Sequence, residues 1–344
     1  MKRMHLSHDR SRITRCCLFT LLVICSTAGL FQEASAQKAR YLADIRAGAE
    51  KGWHELPVVL QQWRANPNHS VLWGYNAPPQ PLYLAGVYAY LYKTTGTALY
   101  AERAVALLRA YGELRQTLPS GFEASRAEYE QGVPPVSNFF FLPPFVRAVR
   151  ELRGSLAFTG PARTKIEHDL AESIDFVFRF PEWGTHNRAA LRAEALVGAA
   201  DAMPDHPASS RWRAMGMAIG ADNVRNWEAE DATVYHPVWL HAVLSYADIV
   251  HRPDVCRSPM MHYYMEYFSR LIAPSGLIPD FGDAYWLSSL EGLRLVAIFE
   301  RMATVFHDPG AKWAALRLLE TSKDMHDTLS VGDAIRIIGY PANG

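Results

Sequence analysis

The sequence predicts an all-α fold of the α/α-toroid kind, an incomplete or closed barrel of antiparallel helical hairpins. Three observations carry that expectation. Apolar residues recur at helical spacing in segment after segment. Strand-like alternation is scarce before Ala334-Ile335-Arg336-Ile337-Ile338. Short connections also alternate with longer, chemically richer ones.

The helices are expected near 41–64, 81–94, 99–114, 138–152, 161–178, 187–203, 209–228, 236–250, 259–271, 287–306 and 309–322. Leu99, Arg103, Ala106, Leu107, Ala110 and Leu114 mark one face of the third, with Thr97 as its cap. Pro161 suits the first turn of the helix that reaches Phe178. Phe139-Phe140-Phe141, His241, His262 and the Tyr263-Tyr264 pair read as packing residues on helix faces.

Short connections fall near 93–97, 153–160, 204–208, 251–258 and 307–309, and rich ones near 65–80, 117–137, 179–186, 229–235 and 272–286. In a chain of antiparallel hairpins every second connection emerges at the same end, so the rich ones should gather on one face. The sequence has no exact short repeat, which favours a toroid over a tetratricopeptide-like array.

Residues 1–36 read as a signal peptide. Lys2, Arg3, Arg10, Arg12 and Arg15 form a basic region before an apolar run from Cys17 to Cys25, and Ala34-Ser35-Ala36 supplies a small-residue cleavage pattern. The expected mature chain is a single domain over residues 37–344, periplasmic or secreted, and independent of the membrane after cleavage. Cys16, Cys17 and Cys25 leave with the leader, so Cys256 remains with no intrachain partner.

The full chain carries 35 Lys/Arg against 35 Asp/Glu; without residues 1–36 the balance becomes 30 against 33. A slightly acidic chain is a poor match for nucleic acid or a membrane surface. Any anionic substrate must therefore meet a local basic site. No His-Glu-x-x-His segment or zinc-type Cys/His spacing occurs.

The rich connections hold Trp73, Tyr75 and Asn76; Arg126, Glu128 and Tyr129; Trp183 and His186; Glu230, Asp231 and Tyr235; Asp280, Asp283, Tyr285 and Trp286. Aromatic rings among a few polar groups suit a carbohydrate cleft, because the apolar faces of sugars stack on them. The expected substrate-binding residues are Trp73, Tyr75, Asn76, Arg126, Tyr129, Trp183, Glu230, Asp231, Tyr285 and Trp286.

Glu182-Trp183-Gly184-Thr185-His186-Asn187-Arg188, Asn226-Trp227-Glu228-Ala229-Glu230-Asp231-Ala232-Thr233-Val234-Tyr235 and Gly276-Leu277-Ile278-Pro279-Asp280-Phe281-Gly282-Asp283 resemble segments of the toroid polysaccharide lyases. The resemblance is to polysaccharide lyase family 38, whose members cleave glucuronan or alginate, and more distantly to the alginate lyase and heparinase II/III-like toroids. It implies β-elimination on an anionic, uronate-containing polysaccharide, with no cofactor required and no bound metal. Asp280 and Asp283 alone fall short of the oxygen shell that calcium takes.

Elimination needs a neutraliser for the uronate carboxylate, a base for the C5 proton and an acid for the departing O4. The resemblance implies Asn187 as neutraliser, with His186 and Arg188 beside it. Asn187 can also act as a helix cap, and Arg188 can also pair with Glu182 or Glu194. The relatives order these residues Asn-His, whereas this chain has His-Asn. Tyr235 is the expected Brønsted catalyst, with His186 and His236 as further candidates. Two other readings share the geometry: a glycoside hydrolase using paired carboxylates such as Glu230 and Asp231, and a non-catalytic helical carbohydrate- or protein-binding module.

Overall fold

The computed structural model describes residues 10–65, 80–116, 138–226, 235–279, 281–282 and 292–325. All regular structure among them is helical. The chain divides into two compact units, one up to Ala43 and the other from Asp44 onward. Helix α1 spans Arg10–Ala65, so the residues read as a leader and its cleavage pattern lie on one helix with the segment expected over 41–64. The alternation at 334–338 lies outside the described residues.

In the second unit the hairpins follow the expected order. Helices α2 (Gln80–Thr95) and α3 (Ala98–Gln116) form the first. Helices α4 (Asn138–Leu152) and α5 (Gly160–Arg179) form the second, and α6 (Asn187–Ala202) and α7 (Ser209–Arg225) the third. Helix α8 (Tyr235–Ile249) is followed by a single turn, α9 (Pro253–Cys256), and by α10 (Pro259–Leu271). Helices α11 (Gly292–Phe306) and α12 (Pro309–Met325) complete the set. The turn α9 lies inside the connection expected over 251–258; Pro253 at its start supplies the fixed φ of a first helical turn.

Within this unit the helices sort into two layers. Helices α2, α4, α6, α8 and α11 pack on one another in succession, and α3, α5, α7 and α12 each pack against their hairpin partners. Helices α6 and α8, in the middle of the inner layer, are buried on nearly every side. Fourteen of the sixteen residues of α6 are buried, leaving only Arg188 and Asp201 partly exposed. Small residues permit close approach: a Cβ on Gly216 of α7 would lie 2.9 Å from Leu196 Cβ and 3.0 Å from the Val197 backbone nitrogen, both on α6.

Two sequence expectations need correction. The buried face of α3 includes Leu107 and Leu114 of the expected residues, together with Ala101, Ala104, Val105, Leu108 and Tyr111, while Leu99 and Ala106 face solvent. Three packing partners, α2, α4 and α5, cover a wider face than the single expected stripe and leave its Leu99 and Ala106 outside. On α10, Tyr264 is buried as expected of a packing residue, but Tyr263 is 51 % exposed. His262 is also exposed, facing Glu266 one turn on at 3.7 Å. Phe141 is buried, and the side chains of Phe139 and Phe140 lie outside the described residues.

Cys256 is a buried free thiol, and burial raises it above its ordinary range. Among the described residues no helix is long and apolar enough to cross a membrane, and no group of three or more His, Cys, Asp or Glu residues could hold a metal ion.

Candidate functional site

The connection from α5 to α6 is the rich segment whose chemistry is most fully described. Arg179 ends α5, and Pro181-Glu182-Trp183 follow in irregular backbone. Gly184 turns the chain at φ 104°, a conformation that side-chain-bearing residues rarely adopt. Its N–H donates to Asp222 Oδ2 near the end of α7 at 2.9 Å, so a carboxylate on the neighbouring helix fixes the turn. The turn leaves Trp183 half exposed, at 50 %.

His186 occupies the N-cap position of α6 with extended backbone and makes no side-chain cap. Its Nε2 lies 3.1 Å from the Trp183 carbonyl oxygen. A carbonyl only accepts, so Nε2 carries the hydrogen and Nδ1 is the basic nitrogen of the neutral ring. The first intrahelical bond runs from the Ala190 N–H to the His186 carbonyl. The positive end of α6 is therefore capped by no side chain of His186, which favours an anion there. Asn187, the first helical residue, is 2 % exposed. Thr185 is also buried, and its hydroxyl has no hydrogen-bond partner among the described residues.

Two arginines one turn apart share a single carboxylate. Arg188 Nε donates to Glu182 Oε2 at 3.0 Å and its Nη2 reaches Glu182 Oε1. Arg192 Nη1 reaches Oε2 of the same residue and donates to the Arg188 carbonyl at 3.2 Å. Of the alternatives open to Arg188 in the sequence, pairing with Glu182 is the one adopted. Arg192 is 2 % exposed; burial pulls its guanidinium down to about 10 while Glu182 opposes the shift. It stays charged at neutral pH, so Arg188 and Arg192 stand against two carboxylates, Glu182 between them and Asp222 on the Gly184 turn.

Tyr235 opens α8 and is half-buried. His236 beside it is 4 % exposed and enclosed by rings: Tyr264 at 4.5 Å, Phe268 at 5.0 Å, Trp239 at 5.9 Å and Tyr267 at 6.2 Å between centroids. Burial pulls its imidazole down to about 4, so it is neutral at neutral pH. The neutral ring carries a single N–H, and burial disfavours its taking a second proton.

The two helix mouths share one end of the inner layer. Ser245 Oγ on α8 donates to Glu194 Oε1 on α6 at 2.6 Å. Asn187 lies seven residues before Glu194 and Tyr235 ten before Ser245, and the hairpin topology makes α6 and α8 parallel neighbours. Asn187, His186 and Arg188 on one helix and Tyr235 and His236 on the other thus stand toward the same end. Trp73, Tyr75, Asn76, Arg126, Glu128, Tyr129, Glu230, Asp231, Asp280, Asp283, Tyr285 and Trp286 lie outside the described residues.

Sequence reasoning passed over Asp222 and Arg192, together with a buried cluster deeper in the inner layer. Glu194 is 5 % exposed and bonded to Ser245. Burial pushes its carboxyl up to about 7, with the Ser245 hydrogen bond and Arg147, Arg150 and Arg294 opposing. His241, one turn before Ser245, is held well below its ordinary value by burial and by Arg294 and Arg147. The available signal was a glutamate in the middle of the run Ala-Ala-Leu-Arg-Ala-Glu-Ala-Leu-Val-Gly-Ala-Ala, at a position that helical period assigns to the buried side.

Comparison of the chain with protein-family models, with curated proteins and with solved structures finds no match.

Proposed function

We propose that this protein is an exported polysaccharide lyase whose helical hairpins wind as an α/α toroid, and that it cleaves a uronate-containing chain of the glucuronan or alginate kind by β-elimination. The observation that carries the reading is the mouth of α6. Exposed Trp183 stands beside an N-terminus uncapped by His186, the buried amide of Asn187 and the Arg188–Arg192 pair. An aromatic platform next to a locally positive end is what a sugar bearing a carboxylate requires.

In this reading Trp183 stacks on a sugar ring, and Asn187 donates hydrogen bonds to the uronate carboxylate with the help of the α6 N-terminus. Neutralising that carboxylate acidifies the C5 proton and stabilises the enolate-like transition state. A base takes the C5 proton, the released electron pair forms the C4–C5 double bond, and O4 leaves with the electrons of its bond to C4 and takes a proton from an acid. His186 acts through Nδ1 or Tyr235 through its phenolate as base. The neutral imidazole of His236 helps set the environment of Tyr235. Arg188 holds Glu182 and orients the loop.

The test is ultraviolet absorbance of the purified protein incubated with glucuronan, alginate and neutral polysaccharides. The conjugated double bond absorbs, and the product of hydrolysis does not. Absorbance that rises with a uronate polymer and is lost in Tyr235→Phe or Asn187→Ala is the expected result. New reducing ends without absorbance would exclude elimination and turn attention to a carboxylate-based hydrolase.

A further inference from the structure

The two outer helices that flank α6 run antiparallel to it, so the C-terminal ends of α5 and α7 lie beside its N-terminus. Each of them ends on an arginine, Arg179 and Arg225. Both arginines are exposed, and neither has an ion pair among the described residues. Arg179 Nε donates to the Asp175 carbonyl at 3.4 Å, and its guanidinium carbon lies 6.0 Å from the centroid of the Phe180 ring. Phe180 is 38 % exposed and is backed by Phe176, 5.1 Å away between centroids. Three residues on, Trp183 is half exposed, and the two rings are separated by at most about 11 Å of chain. The Gly184 N–H then bonds Asp222, which holds the end of α7 against this segment. Arg225 follows Asp222 by three residues and so takes the same side of that helix.

We infer that Arg179 and Arg225 bind the carboxylates of sugar units on either side of the unit at Trp183, so that the protein takes a run of consecutive uronates rather than a single one. This rests on the reading above for the choice of ligand. The charge of Arg188 and Arg192 is met by Glu182, whereas Arg179 and Arg225 keep theirs for an incoming anion. A guanidinium is a planar fork that matches a carboxylate. Phe180 adds a second stacking face beside Trp183. Basic residues in a last turn complement the helix dipole, which accounts for an arginine at each end but not for two exposed rings along the path from one to the other. A nucleic acid also joins stacking to negative charge. The chain's 35 basic residues are matched by 35 acidic ones, however, which suits a nucleic acid poorly.

The test is binding of a linear β-1,4-linked glucuronate tetramer to the full chain, measured by calorimetry in the cold. The glucuronate dimer, cellotetraose and a single-stranded oligonucleotide of the same charge as the tetramer serve for comparison. Ultraviolet absorbance of the same mixtures records turnover separately. The variants are Arg179→Gln, Arg225→Gln and the two combined. Arg257→Gln is the control, because Arg257 is equally exposed and lies in the connection after α8, at the opposite end of the inner layer.

The tetramer should bind more tightly than the dimer, cellotetraose or the oligonucleotide. Each single substitution should weaken it about 2- to 5-fold at low salt, the scale of an exposed ion pair, and the double substitution should weaken it further. Arg257→Gln should leave it unchanged, and added salt should erase the advantage of the wild type over the double variant. Tetramer affinity unchanged in the double variant overturns the inference. So does cellotetraose or the oligonucleotide binding as tightly as the tetramer, or a tetramer that does not bind at all. These outcomes are distinct from those of elimination. The expected binding pattern without absorbance keeps the two arginines and removes the lyase. Absorbance undiminished in the double variant at limiting polymer keeps the lyase and removes the arginines.

Discussion

Asp222 Oδ2 accepts the Gly184 N–H at 2.9 Å, joining the end of α7 to the turn that precedes α6. Gly184 is the point at which the chain leaves the irregular Pro181–Trp183 segment and turns toward the helix. A side chain far from the sequence of that turn therefore decides where Trp183, His186 and Asn187 stand. The double grip of Arg188 and Arg192 on Glu182 fixes the other side of the same loop.

Asp222→Ala should loosen this loop while leaving the helices intact. Loss of one charge-assisted hydrogen bond costs about 1.5–3 kcal/mol, read as a fall in the midpoint of urea denaturation. Asp222→Asn keeps an acceptor oxygen and should recover most of the loss. Equal destabilisation by the two substitutions would show that the bond to Gly184 is not what matters.

Trp183→Ala tests the exposed ring itself. The side chain is half exposed, so stability should change by no more than about 0.5 kcal/mol. Binding of a uronate oligosaccharide should weaken by roughly 2- to 13-fold, corresponding to a stacking contact of about 0.5–1.5 kcal/mol. Unchanged affinity by calorimetry would remove Trp183 from the binding surface.

Gly216→Ala tests the approach of α7 to α6. A Cβ there would stand 3.0 Å from the Val197 backbone nitrogen, which has no rotamer with which to give way. The expected destabilisation is about 1–3 kcal/mol by denaturant titration, in spite of the higher helix propensity of alanine. A neutral or stabilising outcome would mean that the two helices separate at little cost.

Two buried groups give opposite slopes of stability with pH. Glu194 is raised from an ordinary 4.5 to about 7 by burial, against Ser245, Arg147, Arg150 and Arg294. Its contribution is fully present below pH 4.5 and is lost as pH rises through about 7, since the folded state holds the proton more tightly. His236 is lowered from 6.5 to about 4 by burial in its ring cage. Its contribution is present above pH 6.5 and is lost as pH falls toward 4. Thermal melting across pH 4–8 should show Glu194→Gln losing less stability than the wild type on the alkaline side. His236→Phe should lose less on the acid side. Superimposable profiles for the wild type and Glu194→Gln would contradict the placement of that carboxyl.

The helical order was largely legible because it rests on local signals. The bounds expected at 138–152 and 259–271 coincide with α4 and α10, where Asn138 precedes a dense apolar run and Ser258-Pro259 form a cap and first turn. The Ser258 side chain accepts the Met261 N–H, as such a cap should. The buried face of α3 was legible only in part: Leu107 and Leu114 lie on it but Leu99 and Ala106 do not, because small and apolar residues occupy more than one side of that helix and only its neighbours decide how much is covered.

The residues of the α6 mouth show the same division. Their sequence adjacency and the helix start at Asn187 could be read directly, since Glu182 through Arg188 are contiguous and precede an alanine- and leucine-rich helix. Three further contacts depend on the fold: Asp222 on the turn, Ser245 on Glu194, and the ring cage around His236. Each joins residues on different helices, and helical period says which side of a helix a residue takes but not which neighbour meets it. The sequence by itself determined the helices, their order and the chemistry gathered at their connections, because those follow from backbone preference and amphipathic period. Tertiary packing alone decided which arginine, carboxylate and imidazole are buried, and so which protons they hold. Desolvation and the fields of neighbouring charges depend on positions in space that no local pattern encodes.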